Sequence, residues 1–188
     1  MVFPILPLIS VKWKKPSRPS VFSGVSASGN KLMNLDARYI LTDFSAALVA
    51  PFVTQGSNGY FLDKMVYEGK KVFLQTLVWP HATAAQHLKY TEAQYQWAVE
   101  NEAQVWRYFL EREYLYSTDT ALEYRFLFPA PFSKFQLALD RESSPRIAQF
   151  IGFQMAKAYY EKHDKNLLKL LEVSAIDLLK EASYKPKK

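Results

Sequence analysis

Three histidines, His81, His87 and His163, are the only imidazoles in the chain, and there is no cysteine. Thiolate catalysis, disulfides and Cys-ligated zinc are therefore excluded. A helical zinc hydrolase needs two imidazoles one turn apart, a Glu to activate water, and a third ligand from another helix. His81 and His87 are six residues apart, which places them about 120° from each other even on one helix. No His-Glu-x-x-His surrounds either of them, and His163 sits near a polar helix end. The expectation is that all three are loop or surface residues, with no catalytic residue, no metal ligand and no cofactor.

The remaining candidates are carboxylates and cations in polar clusters. Glu68 has Lys64 and Lys71 within one turn, so a salt-bridged helix face competes with a role in a cleft. Glu102 shares a face with Trp106, and Arg125, Lys134 or Arg146 are its expected partners. Lys134, Asp140, Glu142 and Arg146 come from two neighbouring loop-like stretches and are expected either to line a partner-binding cleft or to form a rigid connector. Gln154 completes the candidate set. Glu111 and Glu113 are two apart, point to different faces and read as solvated surface. There is no glycine-rich phosphate loop and no Gly-x-Ser-x-Gly elbow.

Those residues must be positioned by helices. The chain has 188 residues, 49 % of them apolar and 15 % aromatic, enough for one packed domain. Residues 1–34 hold Pro4, Pro7, Pro16, Pro19, Gly24 and Gly29, so they read as an extended arm with room for a short strand at Ser20–Val25. Residues 35–188 read as a single, mainly α domain. Asn34 or Asp36 is the expected cap of a first helix with Tyr39, Ile40, Phe44, Ala47 and Leu48 at helical spacing, ended by Pro51. A second carries Leu62, Met65, Val66, Phe73, Leu74 and Leu77 and stops before Pro80. A third starts at the capping box Thr91 with Gln94 and runs to about Tyr116, its stripe being Tyr95, Ala98, Val99, Val105, Trp106, Phe109 and Leu110. Ser117, Thr118 or Asp119 caps a short helix to Leu127. Ser143 or Ser144 is expected to cap another, with Pro145 in its first turn. Lys165–Leu171 and Ser174–Glu181 close the chain. Gly152, inside a helix, is expected to serve close helix–helix approach.

Charge separates the ends from the middle. Residues 1–38 carry six Lys or Arg against one Asp, a net +5, and residues 180–188 carry four Lys against one Glu, a net +3. The 141 residues between hold 14 basic and 16 acidic side chains, a net −2. The basic ends suit an acidic partner or a membrane surface. No basic stripe follows a helix and the aromatics do not alternate with Lys or Arg, which argues against nucleic acid. No stretch approaches about 20 apolar residues, so no transmembrane segment is expected. The opening MVFPILPLIS is short, contains two prolines and makes a poor signal peptide.

Five separated segments carry a resemblance. They are YEGK at Tyr67–Lys70, NEAQVWRYFLEREYLYSTD at Asn101–Asp119, APFSKF at Ala130–Phe135, DRESSPRIAQFIGFQ at Asp140–Gln154 and YKPK at Tyr184–Lys187. In that order, and over roughly Met65 to the C-terminus, they resemble the GldB-type gliding-motility lipoproteins of Bacteroidetes. That family is related to predicted zinc metallopeptidases, whose third ligand comes from an E-G-x-A segment that Tyr67–Lys70 resembles. Here the preceding helix reads LDARYILTDFSAAL, with no histidine. Ser144-Pro145 stands where the family has Gly before the Arg, and Phe150 and Phe153 stand where it usually has Trp.

The resemblance implies a cell-envelope location and a role in gliding motility, with other envelope or motility-machinery proteins as partners. It also implies peripheral membrane association through a lipidated cysteine, which this chain lacks. The expected function is a non-catalytic scaffold or assembly factor in a degenerate metallopeptidase-like fold. The alternative is a zinc metallopeptidase with atypical ligands, Glu68 with Asp43 and a histidine. The chain is shorter than members of that family, which fits a truncated or divergent member or a start codon read too late.

Overall fold

The computed structural model describes residues 39–138 and 140–186. The expected strand at Ser20–Val25 and the caps Asn34 and Asp36 lie outside the described residues. Among the described residues all regular structure is helical. We number the α-helices α1 Ile40–Val49, α2 Phe61–Val78, α3 Ala84–Leu88, α4 Glu92–Glu111, α5 Ala121–Phe126, α6 Ile147–Lys162, α7 Leu167–Glu172 and α8 Ala175–Ala182. Single 3₁₀ turns stand at Ala50–Phe52, Tyr114–Tyr116 and Asp140–Glu142.

The centre of the fold is the pair α2 and α6. Glycines allow it. A Cβ on Gly69 would overlap the backbone carbonyl of Gly152, and a Cβ on Gly152 would overlap the carbonyl oxygen of Met65. The two backbones therefore touch, as expected for Gly152, at a separation that no other residue type permits. The helices run in the same direction, with Glu68 opposite Gln149, Gly69 opposite Gly152, and Phe73 against Tyr160. Around this seam α8 packs on both helices. An aromatic cluster fills the other side: Phe61, Phe109 and Phe126 are fully buried, and the Phe109 and Phe126 rings lie 5.1 Å apart.

Several helix ends follow the sequence. Thr91 and Gln94 form the reciprocal capping box of α4, and Ser174 accepts from the Asp177 N–H at the start of α8. Asp119 accepts from Ala121 N–H at the start of α5. Other boundaries differ. The helix α4 ends at Glu111 rather than near Tyr116, because Glu113 takes a left-handed conformation (φ 55°) and turns Tyr114 into the aromatic cluster. The helix α7 starts after Asn166, which caps it, rather than at Lys165, whose own φ is 57°. The short helix α3, with its Thr83–Gln86 capping box, was not anticipated.

The start of α6 is the main correction. Neither Ser143 nor Ser144 caps it, and Pro145 precedes the helix rather than opening it. Proline disfavours the helical region for Ser144, and Arg146 then enters in the left-handed region (φ 48°). The Ile147 N–H is satisfied instead by Ser133 Oγ at 3.1 Å. The serines serve as crosslinks: Ser133 Oγ donates to Ser144 O (2.7 Å), Ser143 Oγ accepts from Ser133 N–H (3.0 Å), and Ser144 Oγ donates to Gln94 O (2.5 Å).

Two expected apolar faces also change. On α4, Leu110 points outward and Tyr108 inward, its hydroxyl donating to Phe135 O at 2.9 Å. On α1, Ile40, Phe44 and Leu48 are exposed while Thr42, Ser45 and Val49 face the core.

Candidate functional site

The α2–α6 seam sets one polar cluster. Glu68, one residue before the seam glycine, is part-buried and accepts from Lys71 Nζ at 2.7 Å and from Gln149 Nε2 at 3.4 Å. Gln149 lies one turn after Arg146, so both look from the first turn of α6 toward Glu68. Arg146 extends to the end of α3, where its Nη2 donates to Leu88 O. Burial pulls the Arg146 pKa down, opposed by the charges of Tyr90, Glu68, Asp43 and Tyr39. Those residues therefore surround it from α1, α2 and the α3–α4 junction. Asp43 on α1 is paired in turn with Lys89.

The same cluster includes buried polar atoms without a hydrogen-bond partner. Tyr90 is 3 % exposed and Gln149 8 %, yet the Tyr90 hydroxyl and Gln149 Oε1 have no hydrogen-bond partner. Buried polar groups are normally satisfied, and Asp63, His87, Gln104 and His163 each hold one such atom as well. Burial also raises the Tyr90 pKa well above the usual tyrosine range, which keeps its hydroxyl protonated as a donor.

Glu102 occupies a second cluster. It lies inside, on α4, and accepts from Tyr184 Oη at 2.6 Å and Gln154 Nε2 at 3.4 Å. The Tyr184 pKa is raised by burial first and by the Glu102 charge second. The Tyr184 ring stands edge-on to Trp106 at 5.2 Å. Tyr184 is thus tied to α4 and, through Glu102, to Gln154 of α6. Arg125 lies elsewhere: it donates to Lys134 O (2.8 Å) and to the Tyr114 and Tyr108 hydroxyls.

The polar loop of Lys134, Asp140, Glu142 and Arg146 does not converge on one cleft. The Asp140 carboxylate accepts the N–H groups of Phe135, Gln136 and Leu137 at 3.0–3.1 Å and so fixes the loop. Lys134 and Glu142 are exposed. Arg146 alone lies close enough to Glu68 to feel its charge. The candidates thus separate into Glu68 and Arg146 at one site, Glu102 and Gln154 at another, and a connector. Sequence reasoning missed Tyr90, Gln149 and Lys89. The Thr-x-x-Gln box at Thr83–Gln86 was the available signal for Tyr90 and Lys89, since it announces the short helix that ends just before them.

His87, on α3, is buried, with Nε2 3.2 Å from Trp79 O and its ring edge-on to that indole. Burial lowers its pKa, against the Trp79 carbonyl, which raises it. Among the described residues no three His, Cys, Asp or Glu side chains stand together as a metal cage.

A family model described as gliding motility protein GldB matches residues 31–186. The chain belongs to that family. The match covers both polar clusters and every helix of the described core. No curated protein and no solved structure matches the chain. Among the described residues no helix is long and apolar enough to cross a membrane.

Proposed function

We propose that this GldB-family chain is a non-catalytic cell-envelope protein that acts as a scaffold or assembly factor for gliding motility. Its partners are other proteins of the envelope or motility machinery. One observation carries the reading: Glu68, which aligns by resemblance with a metallopeptidase zinc ligand, is engaged by Lys71 and Gln149. The neighbouring helix α1 turns Thr42 and Ser45 inward instead of imidazoles. Zinc at a hydrolytic site normally takes three protein ligands and an open position, and a carboxylate held by a lysine and an amide is a poor start for one. The polar cluster around Arg146 suits recognition of a partner better than cleavage of one.

The division into a basic arm, 1–34, and a helical domain, 35–188, belongs to the same reading. The arm's charge supports peripheral association with an anionic surface, and the family's name supports the envelope location.

The test is genetic. In a gliding bacterium relying on this chain, Arg146→Gln should impair colony spreading, while Glu68→Gln should leave it largely intact. Impairment by Glu68→Gln, together with chelator-sensitive peptide cleavage by purified protein, would instead favour a zinc metallopeptidase with atypical ligands.

A further inference from the structure

The outward face of α1 is apolar where a surface helix is normally polar. Ile40, Leu41, Phe44 and Leu48 fall within about 100° of one another around the helix axis. With Phe52 in the following 3₁₀ turn they are 47–67 % exposed. Five large apolar side chains on one face mark a contact with something other than water. The only charged residue of α1 is Asp43, and Lys89 neutralises it. The helix α7 adjoins α1: its Leu167 and Leu171 pack on the same small cluster as Val49 and Val53. Leu168, next in sequence, is 70 % exposed, with Lys165 and Lys169 on either side of it along the chain.

The chain that leads into α1 says what covers this face. Residues 1–38 join the helix at its N-cap residue, Tyr39. They carry six Lys or Arg against one Asp, and Lys12, Lys14, Lys15 and Arg18 stand close together with Trp13 among them. A Lys-rich stretch leading into an apolar helix face is the pattern of an interfacial anchor. Acyl chains take up the apolar side chains, and anionic headgroups take up the cations. Tryptophan settles by preference at headgroup level. A protein partner fits less well, because lysine is depleted from protein interfaces. The face also presents no unpaired charge to fix such a partner's register, since Asp43 is held by Lys89.

We infer that α1 lies on an anionic lipid bilayer, with Ile40, Leu41, Phe44, Leu48 and Phe52 among the acyl chains and the Lys12–Arg18 cluster on the headgroups. The inference rests on the peripheral association proposed above and names the face that makes it.

The test is co-sedimentation of the full chain with vesicles of phosphatidylcholine alone and of phosphatidylcholine mixed with phosphatidylglycerol, at low and at high salt. The chain should bind the mixed vesicles about tenfold or more tightly than the neutral ones, and high salt should remove that difference. Phe44→Ser combined with Leu48→Ser should weaken binding to the mixed vesicles about tenfold or more. Both side chains are exposed, so this double variant should unfold at the same urea concentration as the parent. Lys12→Gln, Lys14→Gln and Lys15→Gln together should remove most of the preference for the anionic lipid. Binding lost in this triple variant but untouched in the serine variant leaves the peripheral association standing and overturns the α1 face. No binding to either vesicle overturns both and leaves the face to a protein partner. A parent dimer that the serine variant breaks, or a serine variant that unfolds at lower urea, overturns the inference in favour of a second copy or of a segment of the chain itself.

Discussion

Helices α1 and α6 are both rich in apolar residues, and they use them in opposite ways. On α6, ten of the sixteen residues are buried, from Ile147 to Tyr159. On α1, Ile40, Leu41, Phe44 and Leu48 are 47–67 % exposed, and the inward face is Thr42, Ser45 and Val49. Helical spacing was legible in both. What differs is the partner. The helix α6 meets a glycine on α2 and can sink until backbones touch. The helix α1 meets polar groups: Thr42 Oγ1 donates to Gln86 O at 3.3 Å, and Ser45 Oγ, which donates to Thr42 O at 2.9 Å, lies 3.5 Å from Gln75 Oε1. An apolar stripe says that a helix has a greasy side, and only the neighbouring surface says which side is inside.

The contrast breaks most directly at the seam. Gly152→Leu places a side chain on the Met65 carbonyl with no space to receive it. It should abolish the cooperative unfolding transition followed by circular dichroism, and Gly69→Leu should do the same. A folded Gly152→Leu would mean that α2 and α6 sit farther apart.

In the aromatic cluster the effect is large but finite. Phe109 is fully buried, so Phe109→Ala should cost about 3–5 kcal/mol in urea unfolding. Trp106 is only partly buried and packs on Tyr184 at the edge of the core. Trp106→Ala should cost about half as much, below the value for a fully buried Trp.

Lys70 gives the seam a pH signature. It is 3 % exposed, beside Gly69, and its Nζ donates to Leu171 O (3.3 Å) and Val173 O (2.7 Å) at the end of α7. Burial lowers its pKa from 10.5 to about 8. The folded chain therefore loses this proton at lower pH than the unfolded chain does. Between those values the unfolded state binds more protons, so stability rises with pH. The gain should be about 2 kcal/mol from pH 8 to about 9.5, before unfolded tyrosines ionise. It should vanish in Lys70→Met, and flat stability in the parent chain would show that this lysine is not desolvated.

The smallest effects distinguish the two faces of α1. Ser45→Ala removes a buried hydroxyl that donates to Thr42 O at 2.9 Å and should cost about 1 kcal/mol. Phe44→Ser, on the exposed face, should change stability by less than about 0.5 kcal/mol. The reverse ranking would mean that the apolar face is covered in solution.

The legible parts of the fold were those encoded locally. Thr91 with Gln94 and Ser174 with Asp177 announced their helices because the capping partners are three residues apart. Gly152 announced a close approach because glycine is otherwise costly inside a helix. The start of α6 was not legible, because the atom that satisfies Ile147 N–H comes from Ser133, fourteen residues back. The site was half legible for the same reason. Glu68 and Arg146 stood out as charged residues in recognisable segments. Tyr90 and Gln149 matter only through the partners they lack, which no local pattern records.

The role assigned to Glu68 is tested most directly by zinc per chain, measured by elemental analysis on protein purified without chelator, alongside Glu68→Gln. A carboxylate held by Lys71 and Gln149 predicts no stoichiometric zinc in either protein and no difference between them. One zinc per chain in the parent, lost in Glu68→Gln together with chelator-sensitive peptide cleavage, would contradict the binding reading and make this cluster an active site.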